Sequence, residues 1–474
     1  MIMNKPLLSL LFIAFMSSIS FSQPFSAIQN IDSNIGNEPY EIASGDLDND
    51  GLIDIVMATY DFNGGTPLQD YIKWYKNEGG GNFSPQTTVS STILWVDGLE
   101  VADIDGQFGL DIVATSVQQN KLVYFLSDGA GGFGSEVVVD GTLGAPGQIF
   151  AGDINNDGHT DLATAVYTDN RTVWYAGDGN GNFTPGVDIE NGTTDGPYYM
   201  SMDDFDGDGD LDAVVGFANT QTVEIYYNQY VESGTMTVSW IEDDFTVASG
   251  FSFLFDVLFA DVNNDDVMDV VTLDNSSGNV EWFNKVKNGS STSNPISDDT
   301  IIDRPARVFV TDLNNDTHND VILTDSGVIN EAIIFFQGAD MAPPSSTQTL
   351  IGDVNNQMFD LTVADFDGDM DIDIAVIGNS SDTVDWFRND LPPLSVSEFS
   401  ANEMKVYPNP AQHNLNFTGI PDTGLNIEIY DVVGKLVMKT EITQNSILDV
   451  SALESGIYVI TFENYGDNLK FIKQ

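Results

Sequence analysis

The sequence predicts an all-β fold: a seven-bladed β-propeller closed by an N-terminal strand, followed by a small separate β domain. Two observations predict it. An aspartate-rich motif recurs seven times at intervals of 50 to 57 residues, and each copy lies among four strand-like segments. Four strands in a repeat of about 50 residues are typical of one propeller blade. From Lys405 onward the acidic bias fades and new strand-like runs begin, which indicates the second domain.

Residues 1–22 have the pattern of a secretory signal peptide. Lys5 precedes the apolar run 7–16, and Ser20, Phe21 and Ser22 form a small-x-small triplet. The apolar run is too short to span a bilayer, and no later stretch is apolar enough to do so. We therefore predict an exported protein with a propeller over 23–390, a linker over 391–404 and a C-terminal domain over 405–474.

The composition excludes several classes of function. The chain has 73 acidic and 15 basic residues, a net charge of -58, so nucleic acid and anionic membranes are not expected partners. It has no cysteine, which excludes disulfides, thiolate metal sites and cysteine nucleophiles. Its three histidines provide no catalytic triad or zinc site in the propeller. We expect a monomer.

The first repeat shows the expected order of elements: a strand over 40–45, the aspartate loop, and strands over 53–60, 71–77 and 83–90. The third strand of every repeat carries an adjacent aromatic or bulky pair, such as Trp74 and Tyr75 or Tyr226 and Tyr227. Neighbouring strand residues point to opposite faces, so both faces are expected to be buried between blades. Glycan binding by these pairs is the alternative.

The seventh repeat lacks a fourth strand before the linker. The segment 24–32 resembles the fourth strands of other repeats and precedes the first loop. We therefore predict that this N-terminal segment completes the seventh blade and removes the exposed sheet edge of an open ring. Glycine-rich segments such as 79–83 join strand to strand and are predicted to be hairpin turns.

The aspartate loops are predicted cation sites. In the fourth loop Asp204, Asp206, Asp208 and Asp212 occupy positions 1, 3, 5 and 9 of nine residues. Oxygen ligands packed this densely suit Ca²⁺, which takes six to eight of them. The alternative is that the loops are Asx-type turns without metal, since Asp and Asn favour turns.

The loops and the glycine-rich turns together resemble the FG-GAP and VCBS repeats of integrin α-chain-type and bacterial surface propellers, over about residues 24–390. The resemblance implies Ca²⁺ bound by side chains at positions 1, 3, 5 and 9 and by the backbone carbonyl at position 7. Carried over, the ligands are Asp46, Asp48, Asp50 and Asp54 in loop 1; Asp103, Asp105 and Asp111 in loop 2; Asp153, Asn155, Asp157 and Asp161 in loop 3; the four residues already named in loop 4; Asp261, Asn263, Asp265 and Asp269 in loop 5; Asp312, Asn314, Asp316 and Asp320 in loop 6; and Asp365, Asp367, Asp369 and Asp373 in loop 7.

Up to seven Ca²⁺ ions are therefore expected, with loop 2 the doubtful site because Gln107 and Phe108 replace the residues at positions 5 and 6. Position 6 favours glycine where the backbone turns through positive φ. Gly51, Gly158 and Gly209 provide it, so loops 1, 3 and 4 are predicted to bind most tightly.

The C-terminal segment contains VYPNPAQHNLNF, IEIYDVVGKLV, LDVSALESGIYVITF and the terminal LKFIKQ. In order and spacing these motifs resemble the type A C-terminal sorting domain of the type IX secretion system of Bacteroidota. The resemblance implies an Ig-like sandwich over 405–474 that is recognised by the outer-membrane secretion machinery. An ordinary adhesive β-sandwich is the alternative.

The predicted function is that of a secreted or cell-surface propeller that binds an extracellular glycan or protein, in adhesion or nutrient capture. The loops lie on one rim, and the ligand is expected on the opposite rim. Tyr40, Tyr198, Phe255 and Phe359 each lie six residues before a first loop aspartate and are candidate stacking residues there, with local packing as the alternative. A secreted polysaccharide lyase or hydrolase and a purely structural surface component are the alternative functions.

Overall fold

The computed structural model describes residues 25–390 and 405–474, apart from residues 37, 61–69, 193, 232–236, 244–245, 285–288, 298–301, 328–331, 337, 339–343, 345–347, 354–357, 380–381, 419–424, 432–434, 444–445, 454 and 463–467. The signal peptide and the linker predicted from the sequence lie outside the described residues. The chain divides into two units, Met1–Leu391 and Pro392–Gln474. The described residues form antiparallel sheets and no helix, which confirms the all-β prediction.

The first unit contains seven sheets, numbered here by the order of their first strands. Strand β1 (Gln29–Asp32) belongs to sheet 7. Sheet 1 contains β2 (Pro39–Gly45), β3 (Asp54–Thr59), β4 (Ile72–Tyr75) and β5 (Thr87–Ser90); sheet 2 contains β6 (Val96–Ala102), β7 (Asp111–Ser116), β8 (Lys121–Phe125) and β9 (Val137–Asp140); sheet 3 contains β10 (Pro146–Gly152), β11 (Asp161–Val166), β12 (Arg171–Gly177), β13 (Phe183–Pro185) and β14 (Glu190–Asn191); sheet 4 contains β15 (Pro197–Asp203), β16 (Asp212–Phe217), β17 (Thr222–Asn228), β18 (Trp240–Glu242) and β19 (Ala248–Ser249); sheet 5 contains β20 (Leu254–Ala260), β21 (Asp269–Asp274), β22 (Asn279–Asn284) and β23 (Thr292–Ser297); sheet 6 contains β24 (Pro305–Thr311), β25 (Asp320–Asp325), β26 (Ala332–Phe336) and β27 (Gln348–Asp353); sheet 7 continues with β28 (Met358–Ala364), β29 (Asp373–Gly378) and β30 (Thr383–Phe387).

The first strands of the seven sheets contact one another in a cycle. Strand β2 lies against β6, and the series continues through β10, β15, β20 and β24 to β28, which lies against β2 again. The sheet order therefore closes on itself, with the first strands innermost.

The second strand of every sheet is buried along its whole length, as β3 and β29 illustrate. The β-branched and apolar runs after each loop suit such strands, because both of their faces pack against neighbouring sheets. The aromatic pairs of the third strands whose side chains the structure describes are buried too, as in Trp74 and Tyr75. The prediction that blade packing explains these pairs is consistent with this burial.

The strand register corrects the aromatic pair that the sequence predicted for sheet 4. Ala213 lies opposite Tyr226 as Ile55 lies opposite Tyr75, so Ile225 and Tyr226 occupy the pair positions of sheet 4. Tyr227 is one residue further along, where it packs 6.2 Å from the ring of Phe205. The two adjacent tyrosines had obscured this register in the sequence.

The N-terminal segment closes sheet 7, as predicted. Gln29 lies opposite Trp386, and Phe25 forms a bridge with Asn389. The backbone N–H of Ser26 donates to the carbonyl of Arg388 at 2.8 Å. The strand nearest the start of the described chain thus pairs with the last strand of the unit.

Each first strand carries a register shift at its second residue. In sheet 1 the shift lies between Pro39 and Glu41, five other sheets repeat it, and in sheet 3 it lies between Pro146 and Ile149. The extra residue of such a bulge is unpaired in the ladder, and a bulge re-aims the side chain that it carries. In sheet 3 this residue is Gly147, where a Cβ atom would lie 2.5 Å from the carbonyl oxygen of Tyr198.

The second unit contains two sheets around its own core. The described strands are β31 (Lys405–Tyr407), β32 (Asn414–Thr418), β33 (Leu425–Asp431), β34 (Leu436–Ile442), β35 (Ile447–Asp449), β36 (Gly456–Phe462) and β37 (Asn468–Lys473). Strands β31, β32 and β35 form one sheet, and β34, β33, β36 and β37 form the other. Apolar residues such as Phe417 and Phe471 fill the core. The first described strand of the unit begins at Lys405.

Candidate functional site

The aspartate loops join the first strand of each sheet to the second and turn around the carboxylate at position 1. In loop 3, Asp153 accepts backbone N–H groups from Asp157 at 2.9 Å and from Gly158 at 2.8 Å. Five other loops repeat these bonds from positions 5 and 6. The loop is thus folded by its own first aspartate.

Loop 2 departs from this pattern, as its sequence indicated. Asp103 accepts the N–H of Gly106, at position 4, at 2.7 Å, and Gln107 donates to Asp105. Phe108 at position 6 is exposed and has a φ of 63°. The three aspartates of loop 2 nevertheless lie together, with ligand oxygens within 4.8 Å of one another.

Two positions have positive φ in all seven loops. Position 6 has it in all seven loops, including Thr317 at 74° and Met370 at 75°, which confirms the backbone turn expected there. These non-glycine residues are strained, and β-branched Thr317 most of all. Position 4 also has positive φ and carries Asn or Gly in every loop, as in Asn49 and Gly207. The restriction of position 4 to Asn and Gly was a sequence signal for this second turn position.

The aspartate at position 9 joins the loop to the third strand of its sheet. Asp161 is fully buried and accepts the N–H of Ile154 at 3.0 Å and that of Gly177 at 2.8 Å. The corresponding aspartates of loops 1, 2, 4, 6 and 7 likewise accept one N–H from their own loop and one from the end of the third strand. Burial raises the pKa of Asp161 to about 6 and that of Asp212 to about 8. A cation beside these groups would favour their ionised form.

Third-strand residues also join neighbouring sheets. Asn77 donates through Nδ2 to the carbonyl of Phe366, the position 2 residue of loop 7, at 2.7 Å. Ser127, Asn228 and Asn389 donate in the same way to position 2 of the preceding sheet's loop. The side chain at position 2 is itself buried in every loop. Each loop is therefore anchored to its own sheet and, in these four cases, to the next sheet of the ring.

The donor set fits a hard cation. In loops 1, 2, 4 and 7, three carboxylates present oxygens within 4.8 Å of one another. Carboxylates at that separation repel each other unless a cation or protons compensate. Two buried oxygens at position 3, Asp48 Oδ1 and Asn263 Oδ1, accept no hydrogen bond within the described part of the chain. Side chains at positions 1, 3, 5 and 9 are the ones that could hold Ca²⁺.

Residues 46–107, 153–215 and 204–272 match the family described as FG-GAP-like repeat, and residues 405–474 match the one described as secretion system C-terminal sorting domain. The chain carries FG-GAP-like repeats and a C-terminal sorting domain. The FG-GAP matches contain loops 1, 3, 4 and 5 in full. No curated protein matches the chain.

The sorting domain gives the route of export. It directs the protein through type IX secretion to the cell surface or the extracellular space. The predicted interaction with the type IX secretion machinery is thereby confirmed. No helix in the described residues could cross a membrane.

The four candidate rim aromatics lie at the ends of their sheets opposite the aspartate loops. Tyr40, Tyr198, Phe255 and Phe359 are the bulged second residues of their first strands, and all are half-buried. The structure brings them together: the ring of Phe359 lies 5.2 Å from that of Tyr40 and 6.4 Å from that of Phe255. Tyr199 connects Phe255 to Tyr198.

Further aromatics extend this group. Tyr60 follows a second strand and lies 5.0 Å from Tyr40, and Trp95 stacks on Tyr60 at 5.1 Å. Tyr167 contacts Tyr198 at 5.8 Å at the other end. We call the chain of rings from Trp95 through Tyr60, Tyr40, Phe359, Phe255, Tyr199 and Tyr198 to Tyr167 the aromatic belt. Its members come from six of the seven sheets.

A cavity of about 370 Å³ lies inside the ring of first strands and is lined by residues of all seven sheets. Arg307, the cation at its wall, makes ion pairs with Asp360 at 2.6 Å, Glu41 at 3.1 Å and Asp256 at 3.8 Å. Gln148 donates to Asp256 at 3.1 Å. This network, which joins sheets 1, 3, 5, 6 and 7, was missed in the sequence. Its signal was a polar residue at the third position of otherwise apolar first strands.

Two further carboxyl groups face this network from sheet 2. Burial raises the pKa of Asp97 to about 7, although the hydroxyl of Tyr198, the Arg307 charge and the hydroxyl of Tyr40 oppose the shift. Burial likewise raises the pKa of Glu100 to about 7. One arginine thus faces five carboxyl groups, and some of them are protonated near neutral pH.

The substitution Asp97→Asn is expected to flatten the pH dependence of stability. In the wild type the unfolded carboxyl, with a pKa of about 3.9, loses its proton before the folded one does. The free energy of unfolding therefore falls as the pH rises from about 4 to about 7, by about 2–4 kcal/mol from this group. Denaturant unfolding across this pH range measures the difference between variant and wild type. Glu78→Gln, in an exposed turn, is the control; equal slopes for Asp97→Asn and wild type would contradict the assignment.

Proposed function

We propose that this protein is a secreted or surface-exposed seven-bladed propeller whose FG-GAP loops bind Ca²⁺, with an Ig-like sandwich as its sorting domain. The seven sheets serve as the blades, and β1 closes the ring. The cyclic contacts of the first strands support this arrangement. The observation that carries the calcium proposal is the convergence of carboxylates in loop 4, where Asp204, Asp206 and Asp212 meet.

Calcium would act here as a structural ion. Six of the seven loops already turn around their first aspartate through bonds like those of loop 3, and in six loops the aspartate at position 9 also anchors the loop to the end of the third strand. A bound ion would remove the repulsion among the carboxylates that these bonds bring together. Its binding free energy then adds to the stability of the ring, since the unfolded chain lacks the arranged site.

Removal of calcium is expected to lower the melting temperature of the purified protein. A site with calcium at 100 times its Kd stabilises the folded state by about 2.7 kcal/mol. Differential scanning calorimetry in calcium and in EDTA measures the effect. Asp206→Asn should weaken calcium binding without disturbing the fold, because loops 3, 5 and 6 carry Asn at the same position.

Asp178→Asn, in a hairpin turn outside the loops, is the matched control for Asp206→Asn. A melting temperature that is the same in calcium and in EDTA would contradict the calcium proposal.

The proposed ligand is an extracellular glycan or protein that binds at the aromatic belt. Bulges place aromatic side chains at the end of the ring opposite the loops, and bulges are frequent beside binding sites. Aromatic rings offer large contact areas to sugar rings and to protein side chains. Phe253 is 44% exposed and lies 5.9 Å from Phe255, so the belt continues to the surface.

The charge of the protein restricts this ligand further. With a net charge of -58, the chain repels polyanions such as uronate-rich or sulfated glycans. We therefore expect a neutral or cationic ligand.

A crevice between sheets 3 and 4 is where the catalytic alternative would reside. It is lined by Glu190, Glu224, Glu242, Tyr226 and Trp240, among others. Burial raises the pKa of both Glu190 and Glu224 to about 7. A carboxyl group that stays protonated near neutral pH can act as a general acid in glycoside hydrolysis. This observation keeps a polysaccharide hydrolase as the second candidate.

Glycan-array screening followed by calorimetry tests the ligand proposal. Neutral or amino oligosaccharides should bind, and Phe253→Ala together with Tyr167→Ala should weaken binding about tenfold, as loss of about 1.4 kcal/mol of ring contact implies. Ile241→Ala, at an exposed position on an outer strand, is the control. Unchanged affinity in the double variant would refute the belt as the binding surface. Release of shortened products would favour the hydrolase instead.

A further inference from the structure

Among the described residues, two of the seven loops contain a cation supplied by the protein itself. Lys76 Nζ pairs with Asp48 and lies 2.6 Å from Asp50 Oδ2 in loop 1. Arg388 Nε lies 2.9 Å from Asp367 Oδ2 in loop 7, and its Nη2 donates to Asp369 Oδ2 at 3.3 Å. In both loops the cation pairs with the aspartates at positions 3 and 5, and Arg388 Nε also lies 2.7 Å from Asp390 Oδ1, outside the loop.

Lys76 and Arg388 occupy the same position in their sheets. Each precedes the third-strand residue whose backbone N–H binds the aspartate at position 9, Asn77 in sheet 1 and Asn389 in sheet 7. The corresponding residues of sheets 2, 3, 4 and 5 are neutral: Leu126, Ala176, Tyr227 and Asn284. The side chains of Asp48 and Asp367 are only 7% and 4% exposed. The two cations therefore compensate carboxylates that have little access to water.

These two loops flank the place where the ring closes. The carbonyl of Arg388 accepts the N–H of Ser26 at 2.8 Å, in the segment that leads into β1. Asn77 of sheet 1 donates to Phe366 of loop 7 at 2.7 Å. The side chain of Asn77, next to Lys76, thus joins sheet 1 to sheet 7, and the carbonyl of Arg388 holds the N-terminal segment.

We propose that Lys76 and Arg388 replace a calcium ion in loops 1 and 7, so that the closure of the ring does not depend on calcium. A tethered cation is present at high effective concentration and competes for the same carboxylates as the metal. The other loops keep their sites for calcium. The proposal rests on the proposed calcium function for those loops, and it removes loop 1 from the three loops that the sequence predicted to bind most tightly.

Native mass spectrometry of the calcium-loaded protein tests the proposal by counting bound ions. Lys76→Gln and Arg388→Gln should each gain one calcium ion relative to wild type, and the double variant should gain two. Ala176→Lys places a cation at the same position of sheet 3 and should lose one ion. Lys121→Gln removes a positive charge that pairs with Glu136 away from any loop, and its count should not change.

Thermal unfolding in EDTA provides a second measurement. The double variant should melt at a lower temperature than wild type, by a few degrees, because its buried carboxylates have lost their cations. Added calcium should restore the melting temperature of the double variant.

The outcomes separate this proposal from the calcium function itself. No gain of ions in the double variant overturns the role of Lys76 and Arg388, whatever the wild-type count. A wild-type count of zero overturns calcium binding by the other loops instead. Equal melting temperatures of wild type and double variant in EDTA would also contradict the proposal.

Discussion

The buried aspartate at position 9 is the interaction on which each sheet depends. In sheet 1, Asp54 accepts N–H groups from Leu47 in the loop and from Asn77 in the third strand, 23 residues away. A buried carboxylate is costly to leave unpaired, so the loop and the third strand must both be in place. The same two-directional bond recurs around the ring, and it brings the other loop carboxylates to the edge where a cation can bind.

The two ends of the ring have different chemistry. The loop end is acidic, turns around carboxylates and contains side-chain cations only in sheets 1 and 7 among the described loops. The opposite end carries the aromatic belt on bulged first strands, above the Arg307 network. The hydrogen bonds of the loops hold each sheet and its neighbours in place. Sheets held in this way position aromatic residues from six of them beside one another. The proposed calcium sites and the proposed ligand site therefore lie on separate surfaces.

Local sequence patterns predicted most of the fold. The loops, the buried second strands and the closing strand follow from motifs of fewer than ten residues, and such patterns report local structure directly. The contacts across the ring could not be read in this way. Arg307 and Glu41 are 266 residues apart, and although each is a polar residue at the third position of its strand, neither strand identifies the other as its partner. The bulges could not be predicted from the sequence either, although they determine where the side chains of Tyr40 and Phe359 point. The ion pairs of Lys76 with loop 1 were not predicted, because Lys76 follows the third strand and lies more than 20 residues after the loop that it contacts.

Anomalous diffraction from crystals grown with calcium tests the central claim most directly, because it locates the ion without reference to stability. The predicted result is a peak in loop 4 bounded by the side-chain oxygens of Asp204, Asp206 and Asp212, with Asp212 still bonded to the backbone of Asn228. Absence of a peak in that loop at saturating calcium would contradict it.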